Sequence, residues 1–130
     1  MSQENVEIVR RVYEAFGRRD WDAMFRDAHP DVELKLKRFD PGTHQGRERI
    51  SKVIEDFAGA FDSMIWEPEE FFERGDLVVA LITARARLKA SSDELVTHNG
   101  HLWTMHNGVI VSMEGFPDPA EALEAAGLSD

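Results

Sequence analysis

Leu77-Val78-Val79-Ala80-Leu81-Ile82-Thr83-Ala84-Arg85-Ala86-Arg87-Leu88-Lys89-Ala90 is the stretch that decides the fold. Its even positions from Val78 to Leu88 are all apolar, while its odd ones become Thr83, Arg85, Arg87 and Lys89. Successive side chains of a strand point to opposite faces, so this segment turns one face inward along its whole length. By the same parity Arg85 and Arg87 face outward. The small alanines on the inward face leave room for helix side chains or for a ligand.

Further strands lie on either side. Val32, Leu34 and Leu36 alternate with Glu33, Lys35 and Lys37, a half-buried strand. Met64, Trp66 and Phe72 alternate on the next, where Pro68 points to an edge or a bulge. Leu95 to Met105 and Val109 to Phe116 form a hairpin around His106-Asn107-Gly108. Two registers are open. A two-residue Asn-Gly turn pairs Trp103 with Ser112 and His101 with Glu114. A three-residue loop with Gly108 left-handed pairs Met105 with Val109, Trp103 with Val111 and His101 with Met113. The second gathers Trp103, Met105, Val109, Val111 and Met113 on one face, so the burial pattern favours it.

Such a sheet needs a cover, and the helical periodicities supply one. Val6, Val9, Val12, Tyr13 and Phe16 recur at helical spacing, with Ser2 as a cap. Asp20 caps a short helix, Trp21 to Ala28, that stops before His29-Pro30. A third opens near Gly46, with Ile50, Val53, Ile54, Phe57, Ala58 and Phe61 on one stripe. Asp118 caps a last short helix, Pro119 to Ala126, ended by Gly127. The expectation is an α+β fold shaped as a cone. Three helices of the N-terminal half pack on a curved, mainly antiparallel sheet, in one domain spanning residues 1–130.

Composition removes several functions. The chain has no cysteine, which excludes disulfides, thiolate metal sites and a cysteine nucleophile. Its 25 acidic against 15 basic side chains give a formal charge of −10, which disfavours nucleic acid and anionic membranes as partners. Met1 to Asn5 lack the features of a signal peptide, and no apolar run approaches the ~20 residues that span a bilayer. These features read as a cytoplasmic protein. His98 and His101 point to opposite strand faces, and His29 and His44 fall in expected loops, so no metal site is expected. No phosphate loop, nucleophile elbow or dinucleotide fingerprint is present, and no cofactor is expected.

Several stretches in order are familiar. Glu4-Asn5-Val6-Glu7-Ile8-Val9-Arg10-Arg11 leads through Tyr13-Glu14-Ala15-Phe16 to Trp21-Asp22-Ala23-Met24, then His29-Pro30-Asp31-Val32-Glu33 and Gly46-Arg47-Glu48. Glu69-Glu70-Phe71, Gly75-Asp76, His101-Leu102-Trp103-Thr104-Met105, Asn107-Gly108 and the tail Asp118 to Leu128 complete the set. The chain resembles the SnoaL-like branch of the nuclear transport factor two-like superfamily, which also holds ketosteroid isomerase and limonene epoxide hydrolase. The resemblance implies a cone with an apolar pocket between helices and sheet, and a homodimer through the outer sheet face. It does not imply one reaction. The aspartate base of ketosteroid isomerase falls at about Leu36 here, between Lys35 and Lys37, and its helix-1 tyrosine aligns nearer Val12 than Tyr13. Many relatives carry an acid where this chain has Gly115. No arginine flanked by two aspartates resembles limonene epoxide hydrolase.

Three side chains are candidates for acid–base chemistry. His101 shares a face with Trp103 and Met105, and an imidazole exchanges protons near neutral pH. The competing reading is a buried histidine bonded to a carbonyl or a neighbouring strand residue. Glu70 is the one carboxylate whose parity matches Trp66 and Phe72, and burial would raise its pKa, although a bulge at Pro68 would shift it to a solvated face. Tyr13 lies on the helix-1 stripe, where its hydroxyl could donate to a ligand oxygen or simply reach water. Trp66, Trp103, Met105, Phe57, Phe61, Leu36 and Met113 are candidate pocket lining, and at this spacing they are also ordinary core. The functional expectation is a pocket for a small, mostly apolar molecule bearing a carbonyl or hydroxyl, with cofactor-independent isomerase, cyclase or dehydratase chemistry. The alternative is a non-catalytic binding or dimerisation module. Apolar groups on the outer face (Leu77, Val79, Leu81, Leu102 and Ile110) add to the expectation of a homodimer.

Overall fold

The expected alternation of strand 77–88 is present, and the sheet is built around it. The computed structural model describes residues 2–36, 40–91 and 93–128, and the side chains of all these but 2, 3, 40 and 41. In chain order the elements are α1 (Ser2–Gly17), α2 (Trp21–Met24), β1 (Ala28–Leu36), β2 (Asp40–Gln45) and α3 (Arg47–Gly59). They continue with β3 (Phe61–Arg74), β4 (Leu77–Leu88), β5 (Glu94–His106), β6 (Val109–Phe116) and α4 (Pro119–Ala125). One open sheet runs β2-β1-β6-β5-β4-β3. Every neighbouring pair is antiparallel except β1 with β6. The fold is the α+β architecture expected, with N-terminal helices on one face of a mixed sheet and a short C-terminal helix.

Several boundaries differ. Asp20 caps α2 as expected, accepting from the Ala23 amide at 3.2 Å. The helix ends at Met24, however, and the chain is already extended at Ala28, so His29 and Pro30 lie in β1. β2 was not anticipated, because Pro41-Gly42 reads as a turn. It is an edge strand, where a missing amide costs no ladder bond. His44 therefore sits in a strand, buried, and accepts from Arg49 Nε at 3.3 Å. Ser2 is the first residue of α1, and its side chain lies outside the described residues, as does Lys37.

Neither hairpin register is correct. Asn107 and Gly108 both have positive φ, 52° and 77°, which suits a two-residue turn, and His106 pairs with Val109. Met105 then pairs with Ile110 but Thr104 with Ser112, leaving Val111 as an extra residue on β6. This bulge restores the inward face to Trp103 and Met113 and sets His101 opposite Gly115. Ile110 is consequently core, while Val109 and Val111 are only half-buried.

Inside the curve, α1 and α3 close over the sheet. Val9, Val12 and Phe16 of α1 and Ile50, Ile54 and Ala58 of α3 join the inward residues of the strands in one cluster. Phe16 stacks on Trp66 at 3.9 Å between ring centroids. Outside the curve, α4 lies across β5. Its Ala122 and Ala126 bury Val79 and Leu102, with Leu77 and Leu81 packed at the margin. The apolar outer groups read as a dimer patch are thus largely covered by the chain's own C-terminal helix, and Ile110 faces the other way. Asp118 caps α4 by accepting from the Ala120 amide at 2.9 Å, and Arg74 donates to the Gly127 carbonyl beyond its end.

The close approach of α4 depends on Gly100. A Cβ there would stand 2.6 Å from Ala122 Cβ and 3.0 Å from Pro119 Cα, inside any tolerable contact. Gly100→Ala is therefore expected to lower stability by about 1–3 kcal/mol through displacement of α4. Gly17→Ala, where a Cβ meets nothing within 4 Å at the end of α1, should be neutral or stabilising. Urea denaturation of both variants checks the pair, and equal effects would contradict the packing argument.

Candidate functional site

β5 changes role along its length. From Gly100 onward it is covered on both sides. Before that, its inward residues Leu95, Thr97 and Asn99 line a cavity that ends at His101. The opposite wall carries Leu36, Gly115 and Phe116, and the roof holds Phe57, Phe61 and Trp66. Ala86 pairs with Leu95 and Ala84 with Thr97, so the small residues of β4 provide the room. The cavity measures about 160 Å³. An apolar cavity of ~150 Å³ accepts a benzene ring. Leu95, 53% exposed, marks the mouth.

His101 is 5% exposed and makes one side-chain hydrogen bond, between Nδ1 and the Tyr13 hydroxyl at 2.8 Å. Trp103 Nε1 donates to the same hydroxyl at 2.9 Å. An indole N–H can only donate, so the hydroxyl accepts from Trp103; His101 Nδ1 is the acceptor within reach of its own hydrogen among the described residues, and giving the hydrogen to Nδ1 leaves no donor of the buried hydroxyl unsatisfied. The imidazole is thereby held as the tautomer protonated at Nε2. Nε2 has no hydrogen-bond partner among the described residues, and His101 lines the cavity. Burial pushes the His101 pKa from its ordinary 6.5 down to about 3. The ring is neutral at pH 7. Burial also raises the Tyr13 hydroxyl well above its ordinary 10.0, against the smaller opposing effect of the Trp103 hydrogen bond. Tyr13 stacks on the imidazole at 5.7 Å and meets Trp103 edge-on at 5.7 Å, so the three rings hold one another in place.

The candidates from sequence separate into three groups. Leu36, Phe57, Phe61, Trp66 and His101 line the cavity together. Trp103, Met105 and Met113 do not, because they follow the point where α1 closes over the sheet and are packed into the core. Tyr13 is core as well, and its hydroxyl is engaged by His101 and Trp103 instead of facing a ligand. Glu70 is exposed on the outer face. The strand pairs Pro68 with Ile82 but Glu70 with Leu81, so Glu69 is a bulge residue that reverses the parity. Phe71 takes the inward place. Thr97 and Asn99 were missed as lining, although alternation from His101 marks both. Arg85 faces out, paired with Glu67 at 2.6 Å. Among the described residues no three His, Cys, Asp or Glu come together in a way that could hold a metal ion.

A family model described as the SnoaL-like domain matches residues 9–113. No curated protein matches the chain. Among solved structures, an NTF2-like protein of unknown function from Burkholderia pseudomallei is 29% identical with a TM-score of 0.80, over 95% of this chain and 97% of that one. TerC, co-crystallised with polyporic acid, is 28% identical with a TM-score of 0.79, over 93% of this chain and 96% of that one. A protein of ketosteroid isomerase-like fold from Catenulispora acidiphila, in complex with trimethylamine, has a TM-score of 0.79 at 18% identity, over 94% of this chain and 93% of that one. At that identity the likeness concerns the fold.

The neutral imidazole has a thermodynamic signature. Between pH 6.5 and about 3 the unfolded chain binds a proton at His101 that the folded protein refuses. Stability is therefore undiminished above pH 6.5 and falls as the pH drops through this window. One proton corresponds to a slope of about 1.4 kcal/mol per pH unit. The wild type should lose stability more steeply than His101→Phe by about that slope between pH 6 and 4. Urea midpoints across the pH series check it, and parallel curves would contradict the assignment.

Proposed function

The chain belongs to the SnoaL-like domain family, and on that premise we propose that it binds a small, mostly apolar molecule through a carbonyl oxygen that accepts from His101 Nε2. The observation that carries this is the 2.8 Å bond that occupies His101 Nδ1 and leaves a fixed donor at the end of an apolar cavity. The co-crystal of TerC with polyporic acid supports an organic small molecule as the class of ligand. A neutral N–H in a desolvated site polarises a carbonyl without proton transfer, which suits isomerase, cyclase or dehydratase chemistry in which water entering from the mouth or a basic group of the substrate itself takes the α-proton. His101 is the catalytic candidate in this scheme, and Tyr13 acts on it as a positioning residue.

The non-catalytic reading is favoured by one observation. Among the described residues, no lining side chain carries a carboxylate, and the tautomer of His101 presents a donor instead of a base. Under this reading the same cavity binds and releases its ligand unchanged. A cytoplasmic setting goes with either reading, on the cysteine-free composition. No helix among the described residues is long and apolar enough to cross a membrane. A homodimer is part of the proposal on family likeness alone, since α4 covers most of the patch that argued for it. Light scattering at micromolar concentration should give twice the 14.8 kDa chain mass, and a value at the chain mass would remove the dimer.

Acetophenone and ethylbenzene share a ring and differ in the carbonyl, so they test the donor. Quenching of tryptophan fluorescence should show acetophenone binding the wild type and weakening by about 1–2 kcal/mol in His101→Leu, the worth of one hydrogen bond. Ethylbenzene affinity should be unchanged or slightly improved by the same substitution. Equal losses for the two compounds, or no binding of acetophenone, would overturn the proposal.

A further inference from the structure

Asn99 stands two residues before His101 on β5 and shares its face, so the two side chains leave the strand about 7 Å apart. Thr97, two residues further back, donates from Oγ1 to Asn99 Oδ1 at 3.1 Å. That bond turns the amide oxygen towards Thr97 and leaves Nδ2 as the part of Asn99 with no hydrogen-bond partner among the described residues. Across the ladder Asn99 faces Ile82, whose side chain offers no acceptor. The side chain is half-buried and lines the cavity between mouth and floor. A half-buried amide N–H₂ that bonds only water is a donor that a ligand acceptor can take over.

Building on the reading of the cavity as a site for a carbonyl compound, we infer that Asn99 Nδ2 is a second donor acting in line with His101 Nε2. The ligand class is then an uncharged ring carrying two acceptor oxygens along one edge. The floor donor takes the first oxygen and Asn99 takes the second, nearer the mouth. Charge is selected against because, among the described residues, no Asp, Glu, Lys or Arg lines the cavity, and an unpaired charge costs far more to desolvate than a carbonyl. Asn99 is thus a specificity residue: it distinguishes where the second oxygen sits, while His101 reads only that a first one exists. Thr97 sets the amide orientation on which this depends.

Three probes separate these statements: acetophenone, 1,3-diacetylbenzene and 1,4-diacetylbenzene, titrated against wild type and Asn99→Leu by tryptophan fluorescence. The wild type should bind the 1,3-isomer about fivefold tighter than acetophenone, the worth of one further neutral hydrogen bond. The 1,4-isomer, whose second carbonyl points away from the strand, should gain less than about twofold by the same reasoning. Asn99→Leu should bring the ratio of 1,3-isomer to acetophenone affinity from about fivefold to about one, whatever common change the leucine makes to both. If acetophenone binds in a His101-dependent way while the 1,3-isomer gains nothing in the wild type, the Asn99 inference falls and the carbonyl site stands. Equal loss of both probes in Asn99→Leu also overturns it. If acetophenone itself does not bind, the carbonyl site falls and this inference with it.

Discussion

A histidine buried without a charge partner dictates much of what surrounds it. His101 sits where the core is dry, so one nitrogen must find a donor and the other must face a space that can hold an acceptor. The donor is the Tyr13 hydroxyl, which can give its hydrogen to Nδ1 because Trp103 supplies one to it. The chain has a direction, from an indole that can only donate to an imidazole that has a lone pair free. It also fixes the rotation of α1. With Tyr13 turned towards β5, Val9 and Phe16, four residues before and three after it, fall on the same stripe and enter the core. One polar contact therefore aligns a helix, a strand and the floor of the cavity.

β5 meets opposite demands on its two faces. Gly100 must have no side chain, so that Ala122 and Pro119 of α4 can approach, while its neighbours His101 and Trp103 point the other way into the core. Leu102 returns to the outer face under α4. This half of the strand is buried on both sides and is rigid on that account. The preceding half, Glu94 to Asn99, is covered by neither α1 nor α4 and leaves Val96 exposed outside and the cavity open inside. The cavity lies where helix cover ends, next to the half of β5 that is buried on both faces.

The sequence discloses the fold class because periodicities over ten or more residues average out local irregularity. Strand 77–88 and the stripes of α1 and α3 are long enough to be read with confidence from pattern alone. Two of the errors have a common cause. The bulges at Glu69 and Val111 each insert one residue, and each reverses the parity of everything beyond it. Glu70 matches the inward parity only when the Glu69 bulge is left out, and the pairing of His101 with Glu114 failed at the Val111 bulge, whereas the pairing with Met113 failed already at the turn, where His106 pairs with Val109. His101 was nevertheless placed on the correct face, because its parity was counted along β5, which has no bulge between Thr97 and Thr104. The Tyr13 contact was beyond reach, since two residues separated by 88 positions meet only through the packing of α1.

Leu36 and Gly115, the two positions where the family resemblance leads one to expect an acid, are one structural feature. Leu36 of β1 and Gly115 of β6 are direct partners across the parallel pair. A Cβ at 115 would stand 3.1 Å from Leu36 Cδ2 and 3.7 Å from His101 Cδ2, so the leucine already occupies the space beside the glycine. An acid at 115 would have to displace Leu36. It would also bring a carboxylate alongside the imidazole, which would favour the imidazolium and raise a pKa that burial alone now depresses. The neutral imidazole at His101 and the absence of an acid at Gly115 are therefore consistent with each other. Leu36 fills the space beside Gly115, and with no carboxylate there the buried imidazole stays uncharged.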